Sequence, residues 1–207
     1  MDEKMSDLAR KIDNRSVYHA VAEAFDQQRS QRLFERPWLD RFLALMGSNP
    51  QVLDLGCGTG RPIDDYLIQQ GAQLTGVDFA PNMLCLARAY FPQQRWVDGD
   101  IRDLDFSELF DGIISWDGFF HLTQAEQRTV LPKLAALLSE RGVIMLTIGH
   151  AAGEVTGTVD GQRVYHASLS IADYTSILLA HDIQVVDYVL QDPDLYGHSV
   201  ILGRKSQ

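Results

Sequence analysis

From Ser16 to about Met46 apolar residues return at helical spacing, first as Val17, Ala20, Val21, Ala24 and Phe25. Leu33, Phe34, Leu39, Phe42, Leu43 and Met46 continue the pattern. Pro37 suits the first turn of a new helix, where its missing N–H forfeits no bond, so the spacing predicts two or three N-terminal helices. After Asn49 and Pro50 the pattern changes to short apolar runs at 52–55, 73–77, 95–97, 112–115, 143–148, 184–190 and 198–202. These are predicted strands, with helices predicted between them at about 62–70, 81–91, 124–138 and 171–181. Alternation of this kind marks a parallel sheet built from crossover units.

Local signals sharpen several boundaries. Thr123 stands three residues before Glu126, as in a capping box, and Ser170 caps its helix with Asp173 in the first turn. The last two strands are joined only by DPDLYG, a connection that requires an antiparallel pair. In GEVTGTVDGQRVYHASL, Asp160-Gly161 separates two alternating runs and predicts a small inserted hairpin. The expectation is an α/β fold with a mostly parallel seven-stranded sheet, an antiparallel C-terminal edge, helices on both faces and N-terminal helices over one end. Residues 1–48 would form a cap and 49–207 the sheet domain, a single domain overall.

Composition narrows the function. The chain has 207 residues, 45% of them hydrophobic and 22% charged, enough for a packed core. Lys plus Arg is 18 against 28 Asp plus Glu, and 18 − 28 gives −10, so nucleic acid is a poor partner. The opening MDEKMSDLARKIDNRS lacks a signal-peptide core and no run of about 18 apolar residues occurs, so a cytoplasmic location with no membrane partner is expected. Cys57 and Cys85 are expected as free thiols, and no CxxC pair points to a metal. Oligomeric state leaves no mark on the sequence.

The candidate chemistry starts at Val52-Leu53-Asp54-Leu55-Gly56-Cys57-Gly58-Thr59-Gly60, an apolar strand running into three alternating glycines. Glycine is needed where the chain turns with positive φ or where a ligand touches bare backbone. A Walker phosphate loop is excluded because the chain has no Gly-Lys pair. A dinucleotide loop prefers GxGxxG, whereas here Gly58 and Gly60 are one residue apart and Asp54 sits in the strand. An acid there helps a pyrophosphate little and suits a cationic group, such as an ammonium or sulfonium. Asp78 ends the second strand 24 residues after Asp54, where it can accept from both hydroxyls of a ribose.

With these residues in place, VLDLGCGTG resembles the first motif of the class I S-adenosylmethionine-dependent methyltransferases, and the resemblance covers roughly residues 50–150. It implies a Rossmann-like sheet, S-adenosylmethionine as cofactor and S-adenosylhomocysteine as product. It implies that Gly56, Gly58 and Gly60 approach the methionine portion, with Asp54 near the ammonium. Asp78 matches the ribose-binding acid, Phe79 lies beside the adenine, and Met83 packs on ribose or adenine. Val97-Asp98-Gly99-Asp100-Ile101 resembles the family's third motif, which gives Asp100 the adenine amine and the Ile101 N–H a ring nitrogen. Phe110 to Trp116 resembles the fourth motif and brings Ser115 and Trp116 to the cofactor. N-terminal helices often form a lid in that family, so Tyr18, Phe25, Arg29 and Trp38 are candidates, with Tyr18 or Arg29 at the cofactor carboxylate.

Methyl transfer needs alignment and exclusion of water more than a charged catalyst. SWDGFFHLT, after the fourth strand, supplies Trp116 and Phe119 as aromatic walls for the sulfonium and Asp117 or His121 as proton acceptors. Tyr165 and His166 in the hairpin, and Tyr196 and His198 in the tail, are candidates for the substrate pocket or its rim. The leading expectation is methyl transfer to a small-molecule acceptor. Two alternatives stand beside it: a non-catalytic S-adenosylmethionine-binding regulator, and an NAD-dependent oxidoreductase.

Overall fold

A computed structural model describes residues 12–206. The expectations drawn from residues 1–11, including the start of the N-terminal cap, lie outside the described residues. Two helices come first, α1 (Asn14–Gln28) and α2 (Arg36–Ala44). Asp13 caps α1 by accepting from Ser16 N, and Pro37 occupies the first turn of α2.

The sheet then alternates with helices: β1 (Gln51–Leu55), α3 (Ile63–Gln69), β2 (Gln73–Asp78), α4 (Pro81–Tyr90), β3 (Arg95–Asp98) and β4 (Phe110–Ser115). After β4 follow α5 (Gln124–Leu137), β5 (Leu138–Ile148), the hairpin strands β6 (Gly153–Val159) and β7 (Gln162–Ser168), α6 (Ile171–Leu179), β8 (Ile183–Asp192) and β9 (His198–Lys205). The strand order is β3-β2-β1-β4-β5-β9-β8. Strands β1 to β5 pair in parallel, β9 is antiparallel to both β5 and β8, and β6 and β7 form a separate two-stranded sheet. The expected Rossmann-like architecture is therefore present, with the antiparallel pair at its edge.

Side-chain period 2 splits the core between the two faces of the sheet. Leu53, Leu55 and Ile113 pack with Val130 and Leu134 of α5 and Tyr174 of α6. Val52, Ile114 and Met145 pack with Trp38, Leu39 and Phe42 of α2 and Leu67 of α3. Trp38 is thus a core residue, 3% exposed. At Gly112 a Cβ would lie 2.6 Å from the Phe42 ring, so the bare backbone of β4 is what lets α2 sit this close.

Both predicted caps form: Thr123 and Glu126 make a reciprocal capping box, and Ser170 accepts from Asp173 N. Asp160 (φ 46°) and Gly161 (φ 73°) form the predicted hairpin turn. One element is longer than its apolar run. β5 begins at Leu138 because Phe110 pairs with Leu138 before a register shift, and Arg141 (φ 64°) takes the turn inside it. Cys57 and Cys85 are free thiols. Among the described residues no helix is long and apolar enough to cross a membrane.

Candidate active site

A cavity of about 320 Å³ opens at the carboxyl ends of β1, β2 and β4, the end of an open α/β sheet where ligands bind. Its floor is the loop after β1. Gly56 (φ 77°), Gly58 (φ 56°) and Gly60 (φ 77°) all adopt the left-handed conformation that the glycine pattern implied. Gly56 N and Cys57 N both donate to Val77 O, which ties the loop to the end of β2. Asp78, the last residue of β2, accepts from Gly58 N at 2.9 Å and from Ala80 N at 2.8 Å. Burial pushes its carboxyl up to about 6.

Asp54 points to the face of β1 that α3 covers, and there it meets Asp64 in the first turn of α3. Both are buried, at 4% and 0% exposure. Burial raises both carboxyls, Asp54 to about 7 and Asp64 well above the usual range, the neighbouring Asp54 charge adding to the effect on Asp64. Asp54 Oδ1 accepts from no donor among the described residues and lines the cavity.

The helix α1 forms one wall through Tyr18, Phe25 and Arg29. Phe79 and Met83 line the side near Tyr18 and Phe25, with which they cluster. Arg29 carries a 2.5 Å ion pair to the fully buried Glu35. Loop and helix are joined where Thr59 Oγ1 donates to Asp26 Oδ1 at 2.8 Å.

The segment after β4 forms the opposite wall. Trp116 lines the cavity, and its buried Nε1 has no acceptor among the described residues. Asp117 (φ 57°) donates its backbone N–H to Thr147 Oγ1, and its Oδ1 lies 3.0 Å from His198 Nε2. His198 Nδ1 lies 2.5 Å from Leu195 O. Both ring nitrogens thus face acceptors, and the Asp117 carboxylate holds the imidazole in its charged form above the usual histidine range.

His121 is opposite in character. Its Nδ1 lies 2.9 Å from both Tyr165 O, an acceptor, and Asn14 Nδ2, a donor. Nε2 is hydrogen-bonded to Tyr18 Oη at 2.9 Å. Burial lowers this imidazole to about 4, so it is neutral. Asn14 fixes the same peptide by donating to Tyr165 O at 2.9 Å and accepting from Tyr165 N at 2.8 Å.

Four expected residues lie elsewhere. Phe119 is fully buried with Leu122 and Val130, and Phe120 takes its expected place in the cavity wall. In the short 3₁₀ turn 119–121 successive side chains diverge by about a third of a turn, which sends Phe119 inward. The Ser115 hydroxyl is buried and donates to Leu55 O at 2.6 Å. Asp100 and Tyr165 line an adjoining cavity that shares Phe79, Ile101, Gly118 and His121 with the main one. Asp100 accepts from Arg102 through Nε (2.8 Å), Nη2 (2.5 Å) and the backbone N–H (2.9 Å). Although burial opposes it, the guanidinium holds that carboxyl below the usual range.

The sequence reading named His198 only for the rim and did not reach Gly118. Gly118 stands against Gly56, whose added Cβ would lie 3.1 Å from Gly118 Cα. No periodic signal marks either residue.

Residues 52–142 match the family model described as a methyltransferase domain. An uncharacterized methyltransferase of Alkaliphilus oremlandii is 31% identical over 95 residues, 46% of this chain and 44% of that one. Malonyl-[acyl-carrier protein] O-methyltransferase of Anoxybacillus flavithermus is 30% identical over 148 residues, 68% of this chain and 48% of that one. The chain therefore spans about half the length of the curated relatives it matches. In three dimensions, 1,6-didemethyltoxoflavin-N1-methyltransferase of Burkholderia thailandensis superposes with a TM-score of 0.75 at 22% identity, covering 100% of this chain and 94% of that one.

Over residues 52–142 the chain is thus similar to a methyltransferase domain, and the motif resemblance to the class I S-adenosylmethionine-dependent methyltransferases falls in the same stretch. Within that domain, the strand order and the glycine loop opposite Asp78 occupy the places that the sequence motifs implied.

Proposed function

We propose that the chain binds S-adenosylmethionine in this cavity and transfers a methyl group to a small-molecule acceptor. The observation that carries the reading is the Asp78 clamp: one carboxylate ties down the glycine loop at Gly58 and still lines the cavity. The donor set fits such a cofactor. Asp54 Oδ1 offers an unpartnered buried acceptor for an ammonium, Arg29 offers a cation for a carboxylate, and Asp78 offers acceptor lone pairs for ribose hydroxyls. Phe79 and Met83 supply apolar surface for the adenosyl group, and Asp100 with the Ile101 N–H would read the adenine edge where the two cavities meet.

When bound, the cofactor supplies a methyl on a sulfonium to an in-line nucleophile. Trp116 and Phe120 wall the acceptor end and exclude water from it. The Asp117 carboxylate is engaged by His198, which leaves the His121 imidazole, hydrogen-bonded to the Tyr18 hydroxyl, as the proton acceptor. Helix α1 serves as a lid, latched by the Tyr18, Asn14 and Asp26 contacts. Incubation with S-adenosylmethionine and a panel of small acceptors, read by mass spectrometry, should show S-adenosylhomocysteine forming with at least one of them. Preferential binding of NAD would overturn the reading, and cofactor binding without product over the whole panel would favour a regulator.

A further inference from the structure

A groove of about 430 Å³ runs along the outer side of the acceptor wall, between the loop after β5, the β6–β7 hairpin and the turn before β9. Asp117, Phe120, His166 and His198 line both this groove and the cofactor cavity, so one partition of four side chains separates them. His166 is seated in that partition by glycine. A Cβ on Gly157 of the opposite strand would lie 2.6 Å from its ring. The outer lining includes Ala151, Ala152, Val155 and Tyr196, with Val155 61% and Tyr196 73% exposed, and at its edge the ionisable His150 and Glu154. Large apolar side chains held in water beside an active-site wall are the mark of a surface that a ligand covers.

The charges on the wall define what can lie there. His198 is cationic, but both its N–H groups are used by Asp117 and Leu195. His121 and His166 are neutral, each held down by burial. Arg29 is engaged by Glu35 and, under the reading above, by the cofactor carboxylate. Among the described residues of this end, an anionic ligand would find no cation with its charge uncompensated, while Trp116 Nε1 offers one buried N–H to an uncharged oxygen or nitrogen.

Resting on the methyltransferase reading, we propose that this groove is the acceptor's second subsite, and that the acceptor is an elongated molecule without negative charge. Its nucleophilic head passes between Phe120 and His198 toward the methyl, and its apolar extension lies along Ala151, Val155 and Tyr196.

Cofactor analogues test this without knowledge of the acceptor. In these, a nitrogen replaces the sulfur and carries a methyl, butyl or octyl chain, or an octyl chain ending in a carboxylate. Calorimetry with the full chain should give affinity rising by about two- to four-fold per methylene once the chain passes the partition. The carboxylate-ended chain should bind at least ten-fold more weakly than the octyl one, and Ala152→Trp should cancel the chain-length gain. If the methyl analogue binds and the series is flat, the groove assignment fails and the cofactor site stands. A carboxylate-ended chain that binds as well as the octyl one overturns the exclusion of an anion. Failure of the methyl analogue to bind at all removes the methyltransferase reading, and the groove with it.

Discussion

Tyr18 Oη lies 2.9 Å from His121 Nε2, joining α1 to the turn after β4 across 103 residues of sequence. The bond satisfies the one ring nitrogen that Tyr165 O does not, and it fixes the lid against the acceptor wall. Tyr18→Phe leaves that nitrogen buried without its hydrogen-bond partner. The variant should lose about 1–3 kcal/mol of stability by chemical denaturation and bind S-adenosylmethionine several-fold more weakly. Wild-type values for both would remove the latch.

Gly118 has a steric reason to be glycine. A Cβ there would lie 2.6 Å from Leu55 O and 2.8 Å from Ser115 Oγ, whereas at Gly47 nothing lies within 4 Å. Gly118→Ala should cost about 1–3 kcal/mol of stability, and Gly47→Ala should stay within about 0.5 kcal/mol of wild type. Equal denaturation midpoints for the two variants would contradict the packing of Gly118 against the glycine loop.

The two acids under the loop make stability depend on pH. Asp54, raised to about 7, and Asp64, raised well above the usual range, hold protons in the folded state that an unfolded carboxyl gives up near 3.8. Their contribution is full below that value and is lost as pH rises through 7. Asp64→Asn keeps a hydrogen-bond donor beside Asp54 without a titrating proton. Melting temperatures at pH 6 and pH 8 should differ less in this variant than in wild type; an identical drop would place the titration elsewhere.

Two histidines in one cavity should titrate in opposite directions. His198 is raised by Asp117, so its stabilising contribution is complete below about 6.5 and fades as pH climbs through the raised value. His121 is lowered to about 4, so its contribution is present above 6.5 and lost as pH falls to that point. A nuclear magnetic resonance titration of the ring protons reads both directly, and a His121 that charges above pH 6.5 would contradict its buried, Tyr18-bonded state.

The sheet and the cofactor end were legible because each depends on short-range pattern. Three glycines after an apolar strand permit the positive φ that a tight loop needs, and an acid at the end of β2 is brought to the loop by parallel pairing of β1 with β2. The acceptor end was less legible. Phe119 and Phe120 are adjacent and chemically alike, and only the 3₁₀ turn decides which one is core. Asp100 looked free because nothing in its spacing shows that Arg102 folds back onto it. Asp64 escaped notice because an acid in the first turn of a helix is ordinary, and its burial against Asp54 comes from the packing of α3 on β1.

Isothermal titration of the wild-type chain and Asp78→Ala with S-adenosylmethionine, alongside NAD, is the most direct measurement. One saturable site for S-adenosylmethionine, weakened in Asp78→Ala by about 1–3 kcal/mol with NAD inert, is the predicted result. No heat from S-adenosylmethionine at millimolar concentration, or tighter binding of NAD, would contradict it.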